Sequence, residues 1–185
     1  MMELVLQSDG KWDVIAPVQK IIPTADKSKI VEAKGTIEAD DLHVFLRQET
    51  LQEIIDYSKT NLQAELGGVM PGTLYEHRDV KYIEIHGYIR AAGESARAQY
   101  KFTHDAWGKI TRERESRFDD AILVGWHHTH PGYGVFLSHY DRFIHGNFFN
   151  LPWQVALVVD PRADTLGFFQ WKNNEVDPVG FFFVK

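Results

Sequence analysis

Residues 126–141 read WHHTHPGYGVFLSHYD, a segment that carries His127, His128, His130, Ser138, His139 and Asp141. His128 and His130 stand two apart at the end of an apolar run, AILVGW (121–126), which reads as a strand covered on both faces. Residues i and i+2 of a strand share a side, so both imidazoles can converge on one ion. Neutral imidazole is a zinc ligand, a carboxylate can complete a set of three, and the fourth position then stays open for water. Asp141 can supply the carboxylate, because Gly132 and Gly134 let the intervening loop turn back toward the histidines. His127 points to the opposite face. His139 and His145 have no spacing that ties them to the pair, and all three read as packed or exposed bystanders.

Each piece also has a simpler explanation. A His-x-His pair occurs often by chance. Ser138-x-x-Asp141 is, taken alone, a capping box in which the serine caps a helix and the aspartate answers from its first turn. A serine in that role can still face a site. Hydrolysis further requires a general base that takes a proton from water and returns it to a leaving amine. The histidine strand has no such group, so it must come from a neighbouring strand. Glu65 opens AELGGVMPG (64–72) as a lone carboxylate before a glycine-rich apolar stretch. On spacing alone it reads first as an ordinary strand-end glutamate.

The elements that must position these groups follow from hydrophobic periodicity. Leu42, Val44 and Leu46 alternate as a strand, and residues 49–61 form a helix with Leu51, Ile54, Ile55 and Leu62 on one stripe. A short strand is expected over 64–72. A continuous strand is expected over 79–91, with Ile83, Ile85 and Ile89 on one face and Tyr82, Glu84, His86 and Tyr88 on the other. After a break at 93–95 a strand resumes at 99–103. Helices follow over 104–118 and 138–150, and strands over 153–160, 166–171 and 179–184. The first forty residues contain a hairpin signal around Ser8-Asp9-Gly10, a connection with Pro23, and a short strand over 29–36. The expected architecture is a single domain of the α/β (α+β) class, a mixed β-sheet flanked by helices. Residues 1–40 form an extension of strands packed on the core, and residues 41–185 the main unit.

Composition bounds the functions. At 185 residues, 44% hydrophobic and 13% aromatic, the chain can bury a substantial core. The net charge of -6 argues against nucleic acid or an anionic membrane as partner. No cysteine is present, which excludes disulfides, cysteine-based zinc knuckles, a cysteine nucleophile and the cysteine-ligated zinc of nucleoside deaminases. The N-terminus has neither a signal peptide nor an apolar anchor, so the expected location is cytoplasmic.

Taken together, Glu65-x-x-Gly68-x-Met70-x-Gly72, Gly125-Trp126-x-His128-Thr129-His130-Pro131 and Ser138-x-x-Asp141 resemble the signature of the JAMM (MPN-plus) metalloproteases. Phe136-Leu137 before the serine and VALVVDP (155–161) after the helix extend the match over roughly residues 41–175. The resemblance implies the MPN/JAMM, cytidine-deaminase-like fold and one catalytic zinc ion bound by His128, His130 and Asp141. It makes Glu65 the general acid/base and Ser138 a donor to the oxyanion. The implied reaction is hydrolysis of an isopeptide or peptide bond after the C-terminal glycine of ubiquitin or a ubiquitin-like protein.

About a dozen residues separate Asp141 from the 153–160 strand, so the insertion that carries a second, structural zinc in many eukaryotic members is absent. The compact form is similar to bacterial members, some of which work beside ubiquitin-like conjugation enzymes. Expected partners are therefore a ubiquitin-like protein or its conjugates, and enzymes of such a pathway. The 93–98 loop is a candidate surface for the modifier, or else a simple connection. Two other readings remain at this point: a processing peptidase for a sulfur-carrier protein with a ubiquitin-like shape, and a non-catalytic MPN scaffold. Scaffold members usually lack one or more of the ligands that this chain retains.

Overall fold

The computed structural model describes residues 3–6, 12–91, 94–96 and 99–185. Its strands begin with β1 (Glu3–Leu6), β2 (Trp12–Ile15), β3 (Val18–Gln19), β4 (Val31–Lys34), β5 (His43–Arg47), β6 (Gly67–His77), β7 (Val80–Ile85) and β8 (Ile89–Ala91). They continue with β9 (Glu94–Ala96), β10 (Gln99–Lys101), β11 (Ile122–Thr129), β12 (Val155–Asp160), β13 (Thr165–Lys172), β14 (Glu175–Val179) and β15 (Phe181–Val184). The helices are α1 (Gln48–Ser58), α2 (His104–Arg117) and α3 (His139–Phe148).

Eleven of these strands form one mixed sheet in the order β14-β13-β12-β11-β6-β7-β5-β15-β4, with β3 and β8 also paired to β6. The pairs β11/β12, β5/β7, β5/β15 and β3/β6 run parallel. Strand β12 shows why the sheet must be covered on both sides: all six of its residues are buried. Val155, Leu157 and Val159 enter a core shared with Leu51 and Ile54 of α1. Ala156 and Val158 enter a second core with Ile110 of α2 and Ile144 of α3. A continuous apolar run is what a strand sandwiched between helices requires. The architecture is thus a mixed α+β single domain with helices on both faces of the sheet.

Several boundaries differ from those the periodicity suggests. Helix α1 ends at Ser58, and Leu62, 37% exposed, lies beyond it. The Asn61 side chain accepts hydrogen bonds from the backbone of Gln63 and Ala64, which holds that segment in a turn. The expected strand over 79–91 is two strands. Ile83 and Ile85 face the α1 side, but Ile89 joins the opposite core and Tyr88 takes the α1 side. Ile85 pairs with Gly72 and Ile89 with Val69, so four steps on one strand oppose three on the other. The extra residue is a bulge, and one inserted residue reverses the alternation. It lies against Pro71, which has no N–H for the ladder and whose carbonyl accepts from the His86 backbone at 2.9 Å. Strand β11 shifts register between Leu123 and Gly125 against the same Pro71-Met70 step.

At the C-terminus there are three strands where two were expected. Asn173 and Asn174 both have positive φ, 52° and 64°, and make the tight turn that sends β14 back along β13. The chain then crosses at Gly180 to β15, beside β5. Among the described residues of 1–40, β3 pairs with β6 and β4 with β15, whereas β1 and β2 form a separate pair. The Ser8-Asp9-Gly10 turn lies outside the described residues. So do Gly93, Arg97 and Ala98 of the 93–98 loop, whose β9 pairs with β10 just beyond it. Among the described residues no helix is long and apolar enough to cross a membrane.

Candidate metal centre

Strand β11 brings His128 and His130 to one end of the sheet, on the side of α3. It is held by β12 on one flank and β6 on the other, with His128 opposite Gly67. The two Nε2 atoms lie 3.1 Å apart, and both residues are buried. Past His130, whose backbone N–H donates to the Val159 carbonyl at 2.8 Å, the chain turns through Gly132 and Gly134, at φ 85° and 87°. These left-handed conformations suit glycine and reverse the chain toward α3. Asp160 organises this turn: its carboxylate accepts from the backbone of Gly132 and Gly134, each at 2.9 Å, and of Arg162 and Ala163 at 3.0 and 3.2 Å. Burial acts to raise its pKa, but these donors hold it below the usual carboxylate range.

Helix α3 starts with the capping box expected from Ser138-x-x-Asp141: Ser138 Oγ accepts from the Asp141 backbone at 3.2 Å, and Asp141 Oδ2 accepts from the Ser138 backbone at 2.7 Å. The cap sets the carboxylate so that it also faces both histidines, with Oδ1 3.3 Å from His128 Nε2 and Oδ2 3.4 Å from His130 Nε2. The capping and site-facing readings of this pair are therefore both compatible with one geometry. Ligands about 2.0–2.1 Å from a tetrahedral ion stand about 3.3–3.4 Å from one another. The separations here, 3.1 to 3.4 Å, and the donor set of two imidazoles and a carboxylate fit such an ion.

Electrostatics agree with that geometry. Burial holds His128 below the ordinary histidine range, partly opposed by Asp141. At His130 burial is outweighed by the hydrogen bond and charge of Asp141, with contributions from Glu65 and the Gly134 carbonyl, and the pKa is raised. Asp141 would be raised by burial, yet His128, His130 and Ser138 hold it well below the usual carboxylate range. An ionised carboxylate with two imidazoles turned toward it is an arrangement that could hold a cation. A second acidic group, Glu38, Asp40 and Asp41, instead surrounds the Lys172 ammonium at 2.7, 3.0 and 3.1 Å.

Glu65 lies just before β6, is 4% exposed, and has Oε1 4.0 Å from His130 Nε2. The structure therefore brings Glu65, His128, His130 and Asp141 together, with Ser138 linked to Asp141 through the cap. Thr129, between the two histidines, fixes the glutamate's neighbour twice: its Oγ1 accepts from the Leu66 backbone at 2.8 Å, and its own N–H donates to the Leu66 carbonyl at 2.9 Å. His127 faces the other core, between Tyr88 and Ser58. Ser58 donates to the Ile54 carbonyl at 2.7 Å, so it accepts from His127 Nε2 at 3.1 Å, and Nδ1 accepts from Tyr88 at 2.9 Å. His139 is exposed. His145 is fully buried and accepts a hydrogen bond from the Trp126 indole at 3.0 Å.

The motif reading assigned no individual part to Thr129, Asp160, Trp126 or His145. Two had a usable signal. Trp126 is at i−2 from His128 on one strand face, and His145 is at i+4 from Asp141 on one helix face.

Comparison with known proteins agrees with the fold. Residues 40–151 match the family model described as JAB1/Mov34/MPN/PAD-1 ubiquitin protease. The chain belongs to this family. The 26S proteasome regulatory subunit RPN11 of Eremothecium gossypii is 26% identical over 155 residues, 81% of this chain and 49% of the relative. The ubiquitin carboxyl-terminal hydrolase RPN11 of Saccharomyces cerevisiae is 26% identical over 127 residues, 67% of this chain and 40% of that protein. The chain thus spans half or less of the length of these curated relatives. A solution structure of a protein from Desulfitobacterium hafniense shares the fold with a TM-score of 0.57 at 18% identity, covering 75% of this chain and 90% of the other.

Proposed function

We propose that this chain is a zinc-dependent isopeptidase or peptidase that hydrolyses the bond after the C-terminal glycine of ubiquitin or a ubiquitin-like protein. The observation that carries this reading is the convergence of His128, His130 and Asp141 beside the buried Glu65, inside the segment that matches a ubiquitin protease family. His128 and His130, through Nε2, and Asp141, through its carboxylate, would hold the ion. When bound, zinc lowers the pKa of a coordinated water to about 7 and polarises a carbonyl as a Lewis acid.

Glu65 accepts a proton from the attacking water as the new carbon–oxygen bond forms. It returns that proton to the amine nitrogen as the carbon–nitrogen bond breaks, which yields a free glycine carboxylate and an amine. Ser138 Oγ accepts from the Asp141 backbone, which leaves its hydroxyl proton for the oxygen of the tetrahedral intermediate. Phe136, 45% exposed with its ring 4.7 Å from His130, begins an apolar cleft of about 780 Å³ that continues past Leu137 to Phe169 and Phe181. This cleft supports a polypeptide substrate. We read residues 41–185 as the catalytic unit and residues 1–40 as an extension. The short connection between α3 and β12 supports a bacterial-type member that acts beside ubiquitin-like conjugation enzymes.

The test is cleavage of a ubiquitin-like protein, supplied both as a linear fusion and as an isopeptide conjugate. Hydrolysis is expected to stop on chelation, return with zinc, and be lost in Glu65→Gln. Hydrolysis that survives chelation and the loss of Glu65 would overturn the reading, and preference between the two substrates separates deconjugation from precursor processing.

A further inference from the structure

The two histidines differ in what fixes their rings. His130 Nδ1 donates to the Gly134 carbonyl at 3.2 Å, on the turn held by Asp160. His128 Nδ1 is buried with no acceptor among the described residues. The torsion about a histidine Cβ–Cγ bond has a broad minimum, so without a hydrogen bond the ring plane must be set by packing.

That packing is specific. The Trp126 indole stacks on His128 with centroids 4.5 Å apart and planes 12° apart, and His130 meets the His128 ring edge-on at 4.7 Å. Trp126 is itself held in plane. Its Nε1–H donates to His145 Nδ1 at 3.0 Å, and Phe149 stacks with it at 5.8 Å and 16°. His145 stacks on Trp171 at 4.9 Å and 16°, and the Trp171 indole donates to the Phe149 carbonyl at 2.8 Å. The indole bond also selects a tautomer, because His145 Nδ1 must be the acceptor. The arrangement replaces, for His128, the hydrogen bond that orients His130.

We propose that Trp126 and His145 are positioning residues for the metal centre, the Trp126–His145 hydrogen bond fixing the indole plane that orients His128. This rests on the metal-binding reading above. A purely structural role for the same stack would stabilise the fold without affecting metal affinity, and the two can be told apart.

The experiment measures zinc affinity by competition with a chromophoric chelator, and the visible spectrum of the cobalt-substituted protein, for the full chain and its variants. Wild type is expected to bind one zinc per chain. His145→Leu removes the acceptor and should weaken zinc binding by about 10- to 100-fold, the usual effect of losing a group that orients a metal ligand. Its cobalt spectrum should change, while circular dichroism shows an intact fold. His145→Asn, whose side-chain oxygen can take the place of Nδ1, should recover most of the affinity and the wild-type spectrum. Trp126→Phe keeps a stacking ring and loses the donor; combined with His145→Leu it should add little to either single change. If His145→Leu does not fold, Trp126→Phe and His145→Asn carry the same comparison. Wild-type affinity and spectrum in a folded His145→Leu or in Trp126→Phe would overturn the positioning role and leave the metal reading standing. Absence of zinc binding by wild type would overturn both.

Discussion

Asp160 lies outside the donor set yet holds the turn on which His130 depends, and its removal should be felt in two measurements. In Asp160→Ala four backbone N–H groups lose their acceptor: Gly132, Gly134, Arg162 and Ala163. Gly132, Arg162 and Ala163 are exposed, so water replaces much of what they lose, whereas Gly134 is only partly accessible. A hydrogen bond to a charged group contributes about 1.5–3 kcal/mol, and a re-solvated donor loses less, which puts the expected destabilisation at about 2–4 kcal/mol. Asp160→Asn keeps the shape and should cost less. The second effect reaches the site. Once the turn loosens, the Gly134 carbonyl no longer faces His130 Nδ1 at 3.2 Å. Zinc affinity should then fall by about 10- to 100-fold. Urea unfolding of the zinc-free protein measures the first effect and chelator competition the second. A folded Asp160→Ala with undiminished zinc affinity would refute the link from Asp160 through Gly134 to His130.

Three further outcomes are expected. Thr129→Val removes the acceptor of the Leu66 N–H and frees the segment that carries Glu65, so hydrolysis should fall by more than zinc affinity does, as parallel assays would show. Ser138→Ala removes the α3 cap, for about 1 kcal/mol of stability; if its hydroxyl also serves the oxyanion, kcat should fall by about 100- to 1000-fold, whereas a loss of only a few-fold would leave it a cap. Acid should destabilise the zinc-free protein from the mildly acidic range. Burial lowers His145 to about 4 and holds His127 well below the ordinary value. The unfolded chain takes up these protons near pH 6.5 while the folded chain does not, so the contribution of these two histidines to stability is full above that pH. It falls by about 1.4 kcal/mol per pH unit for each such histidine, for His145 until pH 4 is reached. Unfolding midpoints between pH 7 and 4 check this, and His145→Asn should show a shallower slope.

The parts of the site that were legible in the sequence are those set by local periodicity. His128 and His130 share a side because a strand has period two, and Asp141 returns to them because Gly132 and Gly134 permit the turn. Glu65 was recognisable only through its place in a family pattern, since its approach to His130 depends on β6 pairing with β11 and on Thr129 gripping Leu66. The same limit explains the fold. Strand β12 and helix α1 follow from an apolar run and an apolar stripe, but the reversal between Ile85 and Ile89 comes from a bulge against Pro71 on a different strand. Within residues 79–91 the local sign of it is Gly87, an isolated glycine between the two strands. Strand β14 was missed because it is short and contains Pro178, although Asn173-Asn174 is a turn signal that could have revealed it. Asp160 looks like the end of a strand until the turn it caps is folded over it.

The most direct measurement is a zinc titration of the metal-free protein, with bound metal and hydrolysis of a ubiquitin-like fusion followed together. Activity should rise with bound zinc and saturate at one ion per chain, while Glu65→Gln binds the same zinc and remains inactive. Hydrolysis without bound zinc, or a Glu65→Gln protein as active as wild type at equal zinc content, would contradict a metal centre formed by His128, His130 and Asp141 and served by Glu65.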